Sequence, residues 1–279
     1  MNRYLKLVHW EITRFWKMLA ALAIVTIVLQ CAGILYETHR YASEVYDRVE
    51  SDHSTIAAFV QEHGKHSFID GLARAGLAVY APIALCIGGL VLYVFLIWYK
   101  EWFGKNAFIY RLLTLPTARR NIYFAKFTAI LLFVFALVGL QLVLLPIEDG
   151  LYMMAGGDTL FESSNIFDLI ANDRLLSMLI PQTFTDFVIN YGAGAIAVFI
   201  GFTAVLLERS YKLKGIVAAI LYIAAVGVFM MMPVLLPGNL TVTYWYTIEW
   251  FGIEAALGLV VAAVTVWLGL HLITKKVTV

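Results

Sequence analysis

Residues 100–126, KEWFGKNAFIYRLLTLPTARRNIYFAK, set six basic side chains between two long apolar runs. Inside this stretch Phe108, Ile109, Leu112 and Leu113 recur at helical spacing, Lys105 and Arg111 take the polar side, and Pro116 ends the pattern because its ring cannot continue a helix. The spacing predicts a short amphipathic helix lying along one face of a membrane, between two crossings of it.

The composition agrees with that reading. Hydrophobic residues make up 62% of the chain and charged residues 14%, with a mean hydropathy of +0.83. The apolar runs are long enough to cross about 30 Å of hydrocarbon at about 1.5 Å per residue. Six spans are predicted: Met18–Tyr36, Ala78–Trp98, Phe127–Pro146, Phe187–Leu207, Gly215–Leu236 and Phe251–Ile273. The chain therefore reads as an all-α, multi-pass integral membrane protein with one transmembrane domain over residues 1–279. Net charge is only +1, which offers no global field for nucleic acid. Cys31 and Cys86 both sit in apolar runs and read as small core residues without a disulfide framework.

Orientation follows from the connections, since Lys and Arg resist translocation. The N-terminal segment, residues 100–126, the 209–214 loop and the C-terminal tail together hold 15 of the 20 basic residues; Arg40, Arg48, Lys65, Arg74 and Arg174 lie on the other face. Acidic residues show the reverse bias, with only Glu11, Glu101 and Glu208 on the first face. Both termini and the basic connection are thus expected in the cytosol. Residues 2–17, with Leu5, Val8, Ile12 and Phe15 on one stripe, are expected to form an amphipathic interfacial helix leading into the first span, and no removable leader is read ahead of it.

What the sequence lacks is equally informative. The interiors of the first, second, third and fifth spans contain no Asp, Glu, Lys, Arg or His, whereas proton-coupled carriers need buried ionisable groups along their path. Glu254 and His271 in the sixth span are the exceptions, and both can reach an interface. A phosphate-cradling loop needs a glycine five positions before its Gly-Lys pair and a hydroxyl after it; Gly64-Lys65 has Phe59 and His66 there, and Gly104-Lys105 has Tyr99 and Asn106. No HExxH, GxSxG or CxxCH pattern occurs. The chain reads as no enzyme, with no catalytic residue and no cofactor of its own.

Two inserts on the outer face, residues 37–77 and 147–186, are about forty residues each and are expected to form a small extracellular helical cap. Val45, Val49, Ile56, Phe59 and Val60 in the first recur at roughly helical spacing, and Met153, Met154, Phe161, Ile166, Phe167, Leu169, Ile170, Leu175 and Leu176 in the second are available to pack against them. His63 and His66 have the i, i+3 spacing that can share a metal on one helix face, but Gly64 weakens that helix and no cysteine joins them, so the histidines are read as incidental to an acidic loop and no metal is assigned. The connection 237–250 is aromatic and short; Trp245, Tyr246 and Trp250, with Glu254 just beyond, are expected at an outer gate or interfacial belt. Small residues at Ala84 and Gly88, at Ala193, Ala197 and Gly201, and at Gly252, Ala256 and Gly258 are expected at helix contacts.

With its leading amphipathic helix, six spans, the motif RLLTLPTARRNIYFAK at residues 111–126 and an aromatic hairpin before the sixth span, the chain resembles permease subunits of ABC-2 type ATP-binding-cassette exporters. The resemblance covers the layout of the whole chain, but its sequence-level motif is confined to residues 110–126, and the two long inserts depart from the compact family pattern. It implies that Phe108, Ile109, Arg111, Leu112, Leu113, Thr114 and Leu115 form a coupling helix seated in a separate ATPase, with Glu208 and Lys212 as a smaller second contact. It further implies two copies of a cytosolic ATPase that bind ATP and Mg, a second permease of the same or a homologous kind, and a bacterial cell membrane. An uncharged pathway suits an amphipathic substrate such as a peptide, toxin, antibiotic or lipid. The alternative is a non-transport sensor or assembly protein with a ligand-binding cap and a lipid-binding inner helix.

Overall fold

The computed structural model describes residues 3–102, 118–211, 213–235 and 247–276. In chain order the elements are α1 (Arg3–Ser51), α2 (Ile56–His63), β1 (His66–Ser67), α3 (Phe68–Ala75), α4 (Leu77–Trp102), α5 (Arg119–Gly156), β2 (Phe161–Glu162), α6 (Ile166–Asn172), α7 (Arg174–Leu179), α8 (Phe184–Tyr211), α9 (Leu213–Leu235) and α10 (Thr247–His271), which runs on into one π-helical turn, Leu272–Lys276. Among the described residues six helices, α1, α4, α5, α8, α9 and α10, are long and apolar enough to cross a membrane. The described part of each of the six spans read from the sequence falls on one of them; Leu236, the last residue of the fifth, lies outside the described residues.

α1 differs from the expectation of a separate leading helix. It is one helix of 49 residues, about 74 Å long at 1.5 Å per residue. The physical reason is in the chain: neither Gly nor Pro occurs before Gly33, so nothing releases the helix between the basic segment and the apolar one. The stripe is also rotated from the expected one, with Val8, Glu11 and Phe15 buried and Leu5 exposed.

By packing, the chain divides into two compact units, one formed by Met1–Thr13, Val91–Leu131 and Val188–Val279, the other by Arg14–Leu90 and Leu132–Phe187. We call them the basic unit and the insert unit.

The insert unit is organised by caps and turns that the sequence encodes locally. Thr55 caps α2 through its hydroxyl and Gly64, at φ +79°, ends it. Ser67 and Asp70 make a reciprocal cap on α3, Ser67 Oγ accepting from the Asp70 amide at 3.2 Å and donating to its carboxylate at 2.6 Å. Asp173 closes α6 and opens α7, its Oδ1 accepting from the amides of Leu175 and Leu176 at 2.9 and 2.8 Å, while Tyr80 on α4 donates to Oδ2. A two-residue parallel bridge, His66 opposite Phe161 and Ser67 opposite Glu162, stitches the first insert to the second.

Around that bridge lies one apolar core. Val45, Phe59, Phe68 and Leu72 from the first insert meet Tyr152, Leu160, Phe161, Leu169, Ile170 and Leu176 from the second, over Ile34, Val79, Ile83 and Leu145 of the long helices. Met154 and Phe167, which the sequence offered to this core, are instead 86% and 73% exposed. Each large side chain fully buried here stabilises the fold by roughly 2 kcal/mol. At Gly33 a Cβ would stand 2.3 Å from the Ala78 Cβ, so α1 and α4 touch there with no room for a methyl group. Gly88 and Gly252, expected at helix contacts, have nothing within 4 Å of a built Cβ; Gly201 does, meeting Val94 at 2.9 Å.

Candidate functional site: the frame of the basic connection

The stretch expected to form the coupling helix, including Phe108, Ile109, Arg111, Leu112, Leu113, Thr114 and Leu115, lies outside the described residues, as do Lys212, Trp245 and Tyr246. The side chain of Trp250 also lies outside them. What the structure describes is the frame that holds the two ends of the basic connection, all of it within the basic unit.

The C-terminal end of α4 is fixed by aromatic and charged contacts. Trp98 is fully buried and meets Phe202 edge to face with ring centroids 5.4 Å apart. One residue on, the Tyr99 hydroxyl donates to a carboxylate oxygen of Glu208. The neighbouring Arg209 guanidinium lies 4.8 Å from the Tyr99 ring centroid and 5.6 Å from that of Trp102, a distance at which the ring quadrupole attracts a cation. Glu208 is therefore tied to the last turn of α4. A Cβ at Gly215 would stand 2.3 Å from the carbonyl oxygen of Leu207 and 2.7 Å from that of Glu208, so α9 starts hard against the turn that carries Glu208.

The start of α5 is held from two other directions. Arg119 Nη1 donates to the carbonyls of Ile273 and Thr274, each at 3.2 Å. Those acceptors belong to the π-helical turn, where the wider backbone winding leaves carbonyls off the regular ladder. Two turns into α5, Lys126 is fully buried and its Nζ donates to Glu11 Oε1 at 2.6 Å and to the Ile97 carbonyl at 3.1 Å. The ammonium also lies 5.1 Å from the Trp98 ring centroid. Removing either partner from such a pair leaves an uncompensated buried charge, which costs about 3–5 kcal/mol. Tyr4 adds a neutral tie, with its hydroxyl 2.5 Å from Thr128 Oγ1.

Lys126 and Glu11 entered the orientation count as residues of the cytosolic connections; the structure makes them an internal pair. The bias survives their removal, because the rest of the basic residues on that face are untouched. A signal for the pair was present: Glu11 is the only acid in the first 36 residues and sits at helical spacing between Val8 and Phe15. Sequence alone could not name its partner 115 residues away.

Exposed around this frame are Lys6, Lys100, Arg120, Lys214, Lys275 and Lys276, so the described surface beside the connection is positively charged. Glu254 on α10 is exposed. In the insert unit, His63 stacks on Phe59 at 4.5 Å and closes α2, whereas His66 lies past Gly64 on β1 with its Nδ1 2.5 Å from the Tyr152 hydroxyl. The shared helix face that would let both bind one metal is not formed, because Gly64 turns the chain between them. Among the described residues no cluster of three or more His, Cys, Asp or Glu side chains is placed to hold a metal ion. Burial lowers the pKa of His66, with Asp70 opposing that shift.

In comparison with known proteins, no family model, no curated protein and no solved structure matches the chain.

Proposed function

We propose that this chain is the membrane-spanning permease of an ATP-driven exporter, of the ABC-2 type that its sequence resembles, with a separate cytosolic ATPase gripping the basic connection. In this reading the basic face and both termini lie in the cytosol of a bacterial cell, and the inserts face outward. Two ATPase copies, each binding ATP and Mg, drive a pair of permeases that moves an amphipathic peptide, antibiotic or lipid.

One observation carries the reading: both ends of the basic connection are anchored in the basic unit by buried charge and aromatic contacts. Arg119 holds the end of α10, Lys126 holds α1 through Glu11, and Tyr99 holds the Glu208 turn. A connection that merely rested on anionic lipid has no need of such anchoring, whereas one that receives force from a partner must pass it to several helices at once. Glu208, implied as the smaller ATPase contact, is joined to the same frame.

The test is the double substitution Leu112→Asp and Leu113→Asp, which would place unpaired charges in an apolar groove of the partner. The expected protein is present in the membrane at normal level, no longer co-purifies with its ATPase and no longer supports ATP-dependent export. Affinity falls by two orders of magnitude or more, about 3 kcal/mol. Retention of the ATPase with normal export would sink the assignment and favour the sensor reading, in which the inner helix binds lipid.

A further inference from the structure

Glu148 lies on α5, two residues past Pro146, on the same helix face as Gln141, Leu145 and Tyr152. It is 0% exposed, and neither carboxylate oxygen has a hydrogen-bond partner among the described residues. Its neighbours along that face, Leu145 and Tyr152, belong to the apolar core with Ile34, Val79, Phe68 and Leu72. This is the setting in which an ionised carboxylate is least tolerable, since it has lost water and gained neither a cation nor a donor.

Several of the other titratable groups on the elements of this core are engaged elsewhere. On α1, Glu37 accepts from Arg40 and Arg74, and Tyr41 lies under the Arg74 guanidinium. On α3, Asp70 bonds to Ser67 and Arg74 also reaches Glu44. Tyr80 of α4 is bound to Asp173, Asp149 of α5 accepts from Ser163, and Tyr152 is bound to His66. Cys31 is within electrostatic reach of Glu148, and as a thiol it offers no positive charge. The core thus leaves the Glu148 carboxyl one inexpensive state, the neutral acid.

A leucine at this position would pack without either a desolvated charge or an orphaned hydroxyl, so the carboxyl is not accounted for by the stability of the described packing. We propose that Glu148 is a proton-binding site of the insert unit: the closed core holds a carboxylic acid, and opening the core to water releases its proton. The step is a simple dissociation, in which the O–H bond of the acid breaks, the electron pair stays on the carboxylate and the proton passes to water. By mass action, conditions that draw off protons then favour the opened core, and acid favours the closed one. This site stands independently of the ATPase reading, because none of its residues belongs to the basic connection.

The experiment compares the full-length wild type with Glu148→Gln in the same detergent or nanodisc at neutral pH. Infrared spectra of the folded wild type are expected to contain a neutral-carboxyl carbonyl band that Glu148→Gln lacks. Calorimetric unfolding in buffers of different ionisation enthalpy is expected to show the wild type releasing about one proton more than the variant. Should Glu148→Gln fail to fold, Glu148→Leu supplies the same comparison. Spectra without the neutral band, or equal proton release from wild type and variant, would overturn the proposal. Loss of ATPase binding in the Leu112 and Leu113 variant leaves these two readings unchanged, so failure of the proton site and failure of the permease reading are distinguishable.

Discussion

Glu11 and Glu148 are buried to nearly the same degree, 2% and 0% exposed, and they show how differently the two units use a buried carboxyl. In the basic unit Glu11 has the Lys126 ammonium at 2.6 Å, and that ammonium is further shared with the Ile97 carbonyl and the Trp98 ring. In the insert unit Glu148 has no such partner among the described residues. The first arrangement is a rigid charged joint, whose partners are each costly to remove. The second is a group whose charge state is set by whether its surroundings stay closed. The first carboxyl therefore holds a shape and the second registers a change of shape, although the insert unit also keeps a paired carboxylate, Glu37 with Arg40 and Arg74.

The comparison is broken most severely by Lys126→Met. It strands Glu11 in the interior and is expected to destabilise the basic unit by about 3–5 kcal/mol, read as a fall in the midpoint of thermal unfolding or as loss of folded protein from the membrane. Adding Glu11→Leu should recover most of that loss, since an apolar pair of similar volume removes both desolvated charges. If the double variant is no better than the single one, the pair is not the joint described above.

A smaller effect is expected from Arg74→Ala in the insert unit. The Glu37 carboxylate, 6% exposed, accepts from Arg74 at 2.9 Å and from Arg40 at 2.9 Å, and Arg40 remains in the variant. A loss of about 1 kcal/mol is expected, largely screened by high salt because Arg74 itself is partly exposed. Urea or thermal unfolding at low and high ionic strength measures it, and an effect that ignores salt would show that the lost Arg74 stem over the Tyr41 ring matters more than its charge.

The smallest expected effect concerns His66, and its sign is opposite to that of a paired histidine. Burial holds the folded pKa below the usual 6.5, so the unfolded chain takes up a proton first as pH falls. The contribution of neutral His66 is complete above about pH 6.5 and is lost as pH drops from there toward the lower folded value. A loss of under about 1 kcal/mol is expected on going to pH 5, because Asp70 offsets part of the shift. Unfolding midpoints of wild type and His66→Gln between about pH 5 and 8 measure this, and parallel profiles would show that the folded and unfolded chains bind the His66 proton equally well, so that burial does not shift it.

Much of the architecture was legible in composition because hydrocarbon makes one uniform demand, about twenty apolar residues with their backbone bonded internally. All six candidate spans could be placed that way. The caps at Thr55, Ser67, Asn165 and Asp173 need only a short polar side chain at a helix start, yet none of them was read from the sequence, because such residues are as common in loops as at caps. The frame of the basic connection was legible in part. Its flanking residues stood out by charge, yet Lys126 counted as a loop lysine and nothing marked Glu208 as the acceptor for Tyr99, because charge in a sequence carries no information about what it faces.

By itself, then, the sequence determined the number and position of the apolar helices and the lopsided placement of basic residues. These depend on side-chain polarity and backbone preference within a turn or two of the residue concerned. Only the tertiary structure decided that Lys126 meets Glu11, that Arg119 holds the carbonyls of Ile273 and Thr274, that Gly33 admits Ala78 and that the inserts, expected to pack together, are joined by the His66–Phe161 bridge. It also decided that Glu148, one carboxyl among sixteen acids on its face of the count, is sealed where water does not reach. Such pairings are set by which surfaces exclude water together, and residues dozens of positions apart acquire that relation only when the helices pack.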